Sequence, residues 1–179
     1  MSVLCRPEDS VLLIIDPQVR LMPAIHDAEN VVQRCVQLAN AARELSIHVI
    51  GTEENPAGLG PLVPEIGSLC DTVLSKLHFS ATAEEGFLRR LPAGRSTYIV
   101  AGCEAHVCVM QTAAGLIETG HAVKWVADAV GSRRPIDRST ATDRARAIGA
   151  DIVTTEMVIF EWLRTSEHPK FKRLLQLLR

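Results

Sequence analysis

The stretch that decides the fold runs from Thr97 to Ile117 and reads TYIVAGCEAHVCVMQTAAGLI. It begins with a short apolar run that ends at Gly102, a pattern typical of a buried strand in a parallel sheet. From about Ala105 the apolar residues recur every three or four positions, which predicts a helix packed on that sheet. Together the two parts predict a strand followed by a helix, the repeating unit of an α/β fold.

Cys108 falls in the first turn of this predicted helix. The free N–H groups of a first turn and the positive end of the helix dipole both favour a thiolate there. Open α/β sheets also bind their ligands just beyond the carboxyl ends of the strands. A free cysteine is equally typical of a small buried core residue, so position alone leaves both interpretations open.

Length and composition predict one domain spanning residues 1–179, with a single hydrophobic core. Hydrophobic residues make up 47% of the chain, which argues against disorder. The 19 basic and 21 acidic residues give a net charge of −2. That balance provides no basic surface for nucleic acid or for an anionic membrane, and we expect neither as a partner.

The sequence predicts a cytoplasmic location. We find no signal peptide at its start and no apolar stretch near the roughly 18 residues that a membrane span needs. The five cysteines are scattered and form no CxxC pair. We therefore expect a reducing compartment, with neither a disulfide framework nor a zinc ribbon.

Apolar runs alternate with helical patterns along the whole chain. The predicted strands cover 11–15, 47–51, 72–74, 98–101, 121–126 and 151–154. The predicted helices cover 28–45, 82–91, 105–120, 136–148, 155–163 and 168–178, and a loop rich in glycine and proline covers 52–68. This alternation predicts a three-layer α/β/α fold with a six-stranded, mostly parallel sheet.

Three reactive side chains lie at the ends of predicted strands: Asp16, Lys76 and Cys108. Singly, an aspartate before a proline is typical of a turn, and a lysine of an ordinary surface. The carboxyl ends of parallel strands share one edge of the sheet, so we expect the three to meet there. The lysine would favour the thiolate, and the aspartate would move the proton between thiol and leaving group.

The sequence resembles the isochorismatase-like cysteine hydrolases, which include nicotinamidases and carbamoylsarcosine amidases, and is most similar to the isochorismatase domain-containing subgroup. The resemblance covers nearly the whole chain. It is carried by LLIIDPQ at 12–18, by Lys76 with Phe79 and Ser80, by GCEAHVCV at 102–109, by DAVGSR at 128–133 and by GADIVTTE at 149–156. The subgroup likeness is carried by TEENPAGLGP at 52–61, PEIG at 64–67 and HPKF at 168–171.

The resemblance implies that Cys108 is the nucleophile, Asp16 the acid and base, and Lys76 their charge partner. It also implies a cis peptide bond between Cys103 and Glu104. The expected oxyanion hole consists of the backbone N–H groups of Glu104 and Cys108. A homo-oligomer, dimer or larger, is implied as well.

The departures from the family pattern narrow the expected chemistry. Nicotinamidases have an Asp/His metal cluster where this chain has TEEN at 52–55, so we predict no catalytic metal and no cofactor. Isochorismatases proper act on a vinyl ether without this cysteine, so Cys108 argues against that reaction. We expect a metal-independent hydrolase that cleaves an amide, carbamoyl or related C–N bond of a small molecule through a thioester.

The predicted substrate pocket and the alternative functions complete the expectations. We assign the pocket to the 52–68 loop and to Leu21, Glu53, His78, Phe79 and His106. One alternative function is a catalytically silent binding or scaffold homologue of the same fold. Another is a redox-sensing thiol with Cys103 as resolving partner, which the strained turn between the two cysteines disfavours. A dinucleotide-binding turn is excluded, because DPQ at 16–18 lacks its glycines.

Overall fold

The computed structural model describes residues 3–178, and the six strands in that range form a single sheet. The strands are β1 Ser10–Ile15, β2 His48–Glu54, β3 Thr72–Lys76, β4 Thr97–Cys103, β5 Ala122–Gly131 and β6 Asp151–Val153. Their order is β3-β2-β1-β4-β5-β6, and every neighbouring pair is parallel. The predicted fold class is therefore confirmed, with a sheet that is wholly rather than mostly parallel.

Helices cover both faces of the sheet. They are α1 Ala28–Glu44, α2 Pro56–Leu59, α3 Pro64–Gly67, α4 Met110–Glu118, α5 Pro135–Ala147, α6 Thr155–Leu163 and α7 Phe171–Leu177. One core cluster packs β1 and β4 against α1, α6 and α7, and the other packs the opposite face against α4 and α5. With both faces covered, a central strand can be apolar along its length, and the side chains of 11–15 are fully buried. Among the described residues, no helix has the length and apolar character that crossing a membrane requires.

The strand order creates a switch point at the carboxyl edge of the sheet, the place where open α/β sheets form a crevice for ligands. The chain steps from β1 to β2 and β3 on one side, and then returns to place β4 on the other side of β1. Loops that follow β1 and β4 therefore leave the sheet on opposite sides, and ligands bind at such a switch point. Asp16 follows β1 and Cys108 follows β4, so the topology alone places both residues at this crevice.

Gly102 allows β4 to approach the end of β1. Its φ is +112°, and a Cβ atom added there would lie 2.1 Å from the carbonyl oxygen of Ile15. A side chain would therefore push β4 away from β1 at the residue that precedes Asp16. The β4–β5 register also shifts between Val100 and Gly102, an irregularity of the kind that is common next to functional sites.

The predicted segments 82–91 and 52–68 differ most in type from the structure. The predicted helix over 82–91 is wrong, because the segment forms two 3-10 turns, Ala81–Ala83 and Leu88–Arg90. Gly86 lies between them at φ +76°, a conformation that interrupts a right-handed helix. The predicted 52–68 loop is partly regular: β2 continues through its first three residues, and α2 and α3 each begin at a proline, as first helical turns favour.

Candidate active site

Asp16 is completely buried where β1 ends. Its N–H continues the β1–β2 pairing by donating to the Thr52 carbonyl at 3.1 Å, and its φ of +53° then turns the chain out of the sheet. The carboxylate is held on both sides: Oδ1 accepts from the Thr52 hydroxyl at 2.6 Å, and Oδ2 accepts from Lys76 Nζ at 2.6 Å. The sheet edge thus fixes an aspartate that sequence position alone made typical of a turn.

Lys76 is the last residue of β3, and its ammonium group lies between two carboxylates. Nζ donates to Asp16 at 2.6 Å and to Glu54 Oε2 at 2.9 Å, and both pairs are almost fully removed from solvent. The ammonium also approaches the carbonyl oxygens of His78 and Phe79 at 3.3 and 3.2 Å. These contacts satisfy the buried cation and fix its position beside Asp16.

Cys108 reaches the same crevice from the segment that follows β4. The peptide bond between Cys103 and Glu104 is cis, and a π-helical turn, Ala105–Val109, precedes α4. Cys108 is 6% exposed. The ligand atoms of Cys108, Asp16 and Glu54 all lie within 4.8 Å of one another. The structure therefore brings Asp16, Lys76 and Cys108 together at one edge.

The charge state of the thiol differs from our expectation. Burial raises the pKa of Cys108, the neighbouring Asp16 carboxylate raises it further, and Lys76 only partly offsets these effects. Lys76 thus favours the thiolate, as expected, but burial and Asp16 outweigh it. This balance favours a neutral thiol beside a carboxylate that can accept its proton.

The pKa values of the two charged neighbours of Cys108 are shifted as well. Burial raises the pKa of Asp16, while the Lys76 ammonium and the Thr52 hydroxyl oppose that rise. Burial alone would lower the pKa of Lys76, but the pairing with Asp16 outweighs it and raises the pKa. Lys76 is thus a permanent cation, and Asp16 is a carboxylate whose proton affinity is increased, as a proton carrier requires.

Glu54 belongs to this cluster, and sequence reasoning missed it. Residues alternate between the faces of β2, so Thr52 and Glu54 point to the side of Cys108. Glu53, which we predicted for the pocket, is oriented to the other side, where its carboxylate accepts the N–H of Leu62 at 2.9 Å. The predicted strand ended at Gly51, so the alternation that singles out Glu54 was lost.

The other predicted pocket residues differ in their exposure and in their contacts. The side chains of His78 and Phe79 are exposed, and His78 Nδ1 lies 2.9 Å from Glu84 Oε2. His106 is half-buried, with Nδ1 3.0 Å from the Ser132 hydroxyl. Leu21 packs against the core cluster beneath α1.

The surroundings of these carboxylates are unfavourable for a metal ion. Asp16, Glu54 and Cys108 offer three ligand atoms at close range. The ammonium of Lys76, however, already contacts one oxygen of each carboxylate. A divalent cation would have to displace or approach that fixed positive charge. The donor set therefore fits a metal poorly.

The fold is a parallel α/β sheet in which a carboxylate, a cation and a thiol meet beside a switch point. A family model described as the isochorismatase domain matches residues 10–157. The chain belongs to the isochorismatase family, and it has the fold of that family's hydrolases.

Individual relatives agree with this assignment. Isochorismatase domain-containing protein 2 of Danio rerio is 39% identical over 171 residues, covering 94% of this chain and 86% of the relative. The MAR1 ribonuclease structure from Caenorhabditis elegans superposes with a TM-score of 0.93 at 35% identity, covering 98% of this chain and 92% of that one.

Two YcaC structures superpose with TM-scores of 0.87 at 26% identity. The Escherichia coli protein is described as an octameric hydrolase of unknown specificity, and the match covers 98% of this chain and 96% of that one. The Pseudomonas aeruginosa protein was solved with hexane-2,5-diol and covalent acrylamide, and the match covers 99% and 98%.

Proposed function

We propose that this protein is a metal-independent cysteine hydrolase that cleaves an amide, carbamoyl or related C–N bond of a small molecule. The observation that carries the proposal is the meeting of Cys108 with Asp16, whose carboxylate lies 2.6 Å from Lys76 Nζ. A thiol beside a carboxylate of raised pKa and a fixed cation is a nucleophile with its own proton carrier.

The neutral resting thiol sets the order of the proton transfers. As the Cys108 sulfur bonds to the carbonyl carbon, its proton passes to Asp16. The C–N bond then breaks, and Asp16 delivers that proton to the leaving nitrogen, so an amine or ammonia departs and a thioester remains. Water next attacks the thioester, gives one proton to Asp16, and the acid is released as Asp16 returns the proton to the sulfur. Lys76 keeps Asp16 oriented and offsets negative charge throughout.

Backbone N–H groups would stabilise the oxyanion in both halves of this cycle. The N–H of Glu104 donates to no partner among the residues that the structure describes. We assign it, with the N–H of Cys108, to the oxyanion hole. Donors of this kind are effective because they are already oriented before the charge develops.

The covalent acrylamide in the Pseudomonas aeruginosa relative supports a reactive nucleophile in this fold. Acrylamide is an electrophile toward thiolates and also has a primary carboxamide group. Applied to this chain, that observation favours a thiol that reaches electrophiles in the crevice. It also favours a crevice that accommodates a small amide.

The test is capture of an acyl-enzyme. Wild type is incubated with a panel of small amides and carbamoyl compounds, and the Cys108 peptide is examined by mass spectrometry after acid quenching. We expect an acyl adduct with an active compound, and Cys108→Ala should lower turnover by at least about 10³-fold while retaining the fold. Cys70→Ala, which removes a partly buried thiol elsewhere, is the matched control.

A catalytically silent binding or scaffold homologue predicts a different result. In that case no compound of the panel would leave an acyl adduct on Cys108, and Cys108→Ala would leave any turnover unchanged. Either outcome would overturn the hydrolase proposal.

We also propose that the protein is a homo-oligomer and that it resides in a reducing, cytoplasmic compartment. Its substrate is a small molecule rather than nucleic acid or a membrane. The octameric Escherichia coli relative supports assembly. Five scattered cysteines with no CxxC pair favour a reducing compartment. Light scattering coupled to size exclusion measures the assembly, and a monomer at micromolar concentration would contradict the first part.

A further inference from the structure

The backbone of Glu54 is held in place by hydrogen bonds from a single buried side chain. The buried side chain of Gln18 holds its backbone on both sides, accepting from the Glu54 N–H at 2.8 Å and donating to the Glu54 carbonyl at 2.9 Å. The same amide donates to the Gly60 carbonyl at 2.6 Å, which ties the strand end to the loop beyond α2. A strand end fixed in this way positions its side chain within narrow limits.

Only one of the two carboxylate oxygens of Glu54 accepts a hydrogen bond from the described part of the chain. Oε2 accepts from Lys76 at 2.9 Å. Oε1 accepts no hydrogen bond from any residue in the described range, and it is not among the atoms sealed from solvent without a partner. A carboxylate oxygen within the thiol and aspartate cluster is therefore available to a ligand.

The charges of the cluster limit which ligand that is. Asp16 and Glu54 share the single ammonium of Lys76, which leaves one negative charge uncompensated while the thiol is neutral. A ligand with a carboxylate next to its reacting carbon would be repelled. A ligand with an N–H donor at that position would be attracted, because hydrogen bonds to a carboxylate are strong.

We propose that Glu54 Oε1 accepts a hydrogen bond from the nitrogen of the scissile group, so that the site selects neutral or cationic compounds with a –CONH2 or urea-like end. This rests on the proposed function, since it concerns the group that Cys108 attacks. Glu54 is then a specificity-determining residue, distinct from the proton carrier Asp16. Esters lack the N–H, and compounds with an anionic carboxylate at that place meet like charge.

Three alkylating probes of similar size test the proposal without knowledge of the substrate. Iodoacetamide has the N–H donor, methyl iodoacetate is neutral without it, and iodoacetate is anionic. In each reaction the sulfur–carbon bond forms, the carbon–iodine bond breaks, iodide leaves and the thiol proton passes to Asp16 or solvent. Rates at Cys108 are read by peptide mass spectrometry and divided by the rates of the same probes with glutathione.

After this normalisation, wild type should prefer iodoacetamide to each of the other probes by about tenfold or more. In Glu54→Gln the carbonyl oxygen faces Lys76 and an amide donor faces the ligand, so the preference should fall to about threefold or less. Glu53→Gln removes the same charge from the neighbouring residue on the other side of β2 and should keep the wild-type ratios. Circular dichroism and thermal unfolding of each variant establish that it is folded.

The results separate the two proposals. The Glu54 inference is overturned if wild type has no preference beyond glutathione, if Glu54→Gln keeps it, or if Glu53→Gln loses it equally. Discrimination against iodoacetate alone, with no preference over the ester, also overturns it, because charge without a hydrogen bond would suffice. The comparison of the three probes on wild type tests the inference even if a variant does not fold. Absence of an acyl adduct and full turnover in Cys108→Ala would instead be failures of the hydrolase proposal.

Discussion

In the described part of the chain, two buried lysines each pair with an aspartate near a cysteine. One lies at the carboxyl ends of the parallel strands and the other at their amino ends. Lys76 and Lys124 are both only 3% exposed. Lys76 lies at the carboxyl edge with Asp16 and Cys108. Lys124 lies near the amino end of β5, where it donates to Asp151 at 2.7 Å and to the Val3 carbonyl. The same residue types therefore occur in two places that differ in their surroundings.

The difference lies in what surrounds each ion pair. Asp16 is buried, whereas the side chain of Asp151 is 51% exposed and keeps most of its hydration. Cys5, near Lys124, is sealed in the core, and burial together with Glu161 raises its pKa. The carboxyl edge adds a crevice at a switch point and a second carboxylate. The presence of a lysine, an aspartate and a cysteine close together is therefore not enough to form a ligand site. Their position at the carboxyl ends of the parallel strands is also needed.

The largest effect that tests this comparison is on stability. Lys76→Met leaves the carboxylates of Asp16 and Glu54 without their cation, and we expect a loss of about 3–5 kcal/mol in the free energy of unfolding at pH 7. The loss should shrink toward pH 4, because protonation neutralises the buried carboxylates. Lys124→Met leaves an aspartate that water solvates, and should cost only about 1 kcal/mol. Urea unfolding of both variants measures the difference, and equal losses would contradict the comparison.

A smaller effect concerns the pH dependence of the thiol. Because the pKa of Cys108 is raised, its thiolate fraction at pH 7 lies below that of an ordinary cysteine. Its alkylation rate should therefore climb about tenfold per pH unit from pH 7 through 9, without the plateau that an activated thiol has. Glu54→Gln removes a charge that raises this pKa, so its profile should move to lower pH. A plateau below pH 7 in stopped-flow alkylation would mean a resting thiolate.

Much of the fold could be predicted because the pattern of burial is simple. Strands covered on both faces give continuous apolar runs, and the six runs alternate with helical periods. The same reasoning placed Asp16, Lys76 and Cys108 at one edge, since parallel strands share that edge. The helix predicted for 82–91 was wrong because the conformation of a single residue, Gly86, outweighed the helical pattern of the segment.

The details of the site depend on contacts between residues far apart in sequence. Glu54 continues β2 because Gln18, 36 residues away, holds its backbone. The pKa of Cys108 follows from burial and from a nearby carboxylate, both of which arise only when the chain is folded. Local propensity includes neither effect, so the direction of the thiol pKa and the choice between Glu53 and Glu54 required the structure.

The last prediction concerns the smallest change: we expect no disulfide to form between Cys103 and Cys108 in the folded protein. Cys103 belongs to the core cluster beneath α1, whereas Cys108 belongs to the cluster on the other face of the sheet. A disulfide needs Cβ atoms about 3.8 Å apart, and two side chains separated by the sheet cannot meet that condition without unfolding β4.

Peroxide treatment of the folded protein, followed by N-ethylmaleimide and non-reducing peptide mapping, should therefore give no peptide that links Cys108 to Cys103. The same treatment in urea is the positive control, because the unfolded chain lets thiols five residues apart meet. A Cys103–Cys108 link in the folded protein would revive the redox-sensing alternative. It would also mean that the carboxyl end of β4 opens readily, in which case the rigid crevice on which the hydrolase proposal depends would not exist.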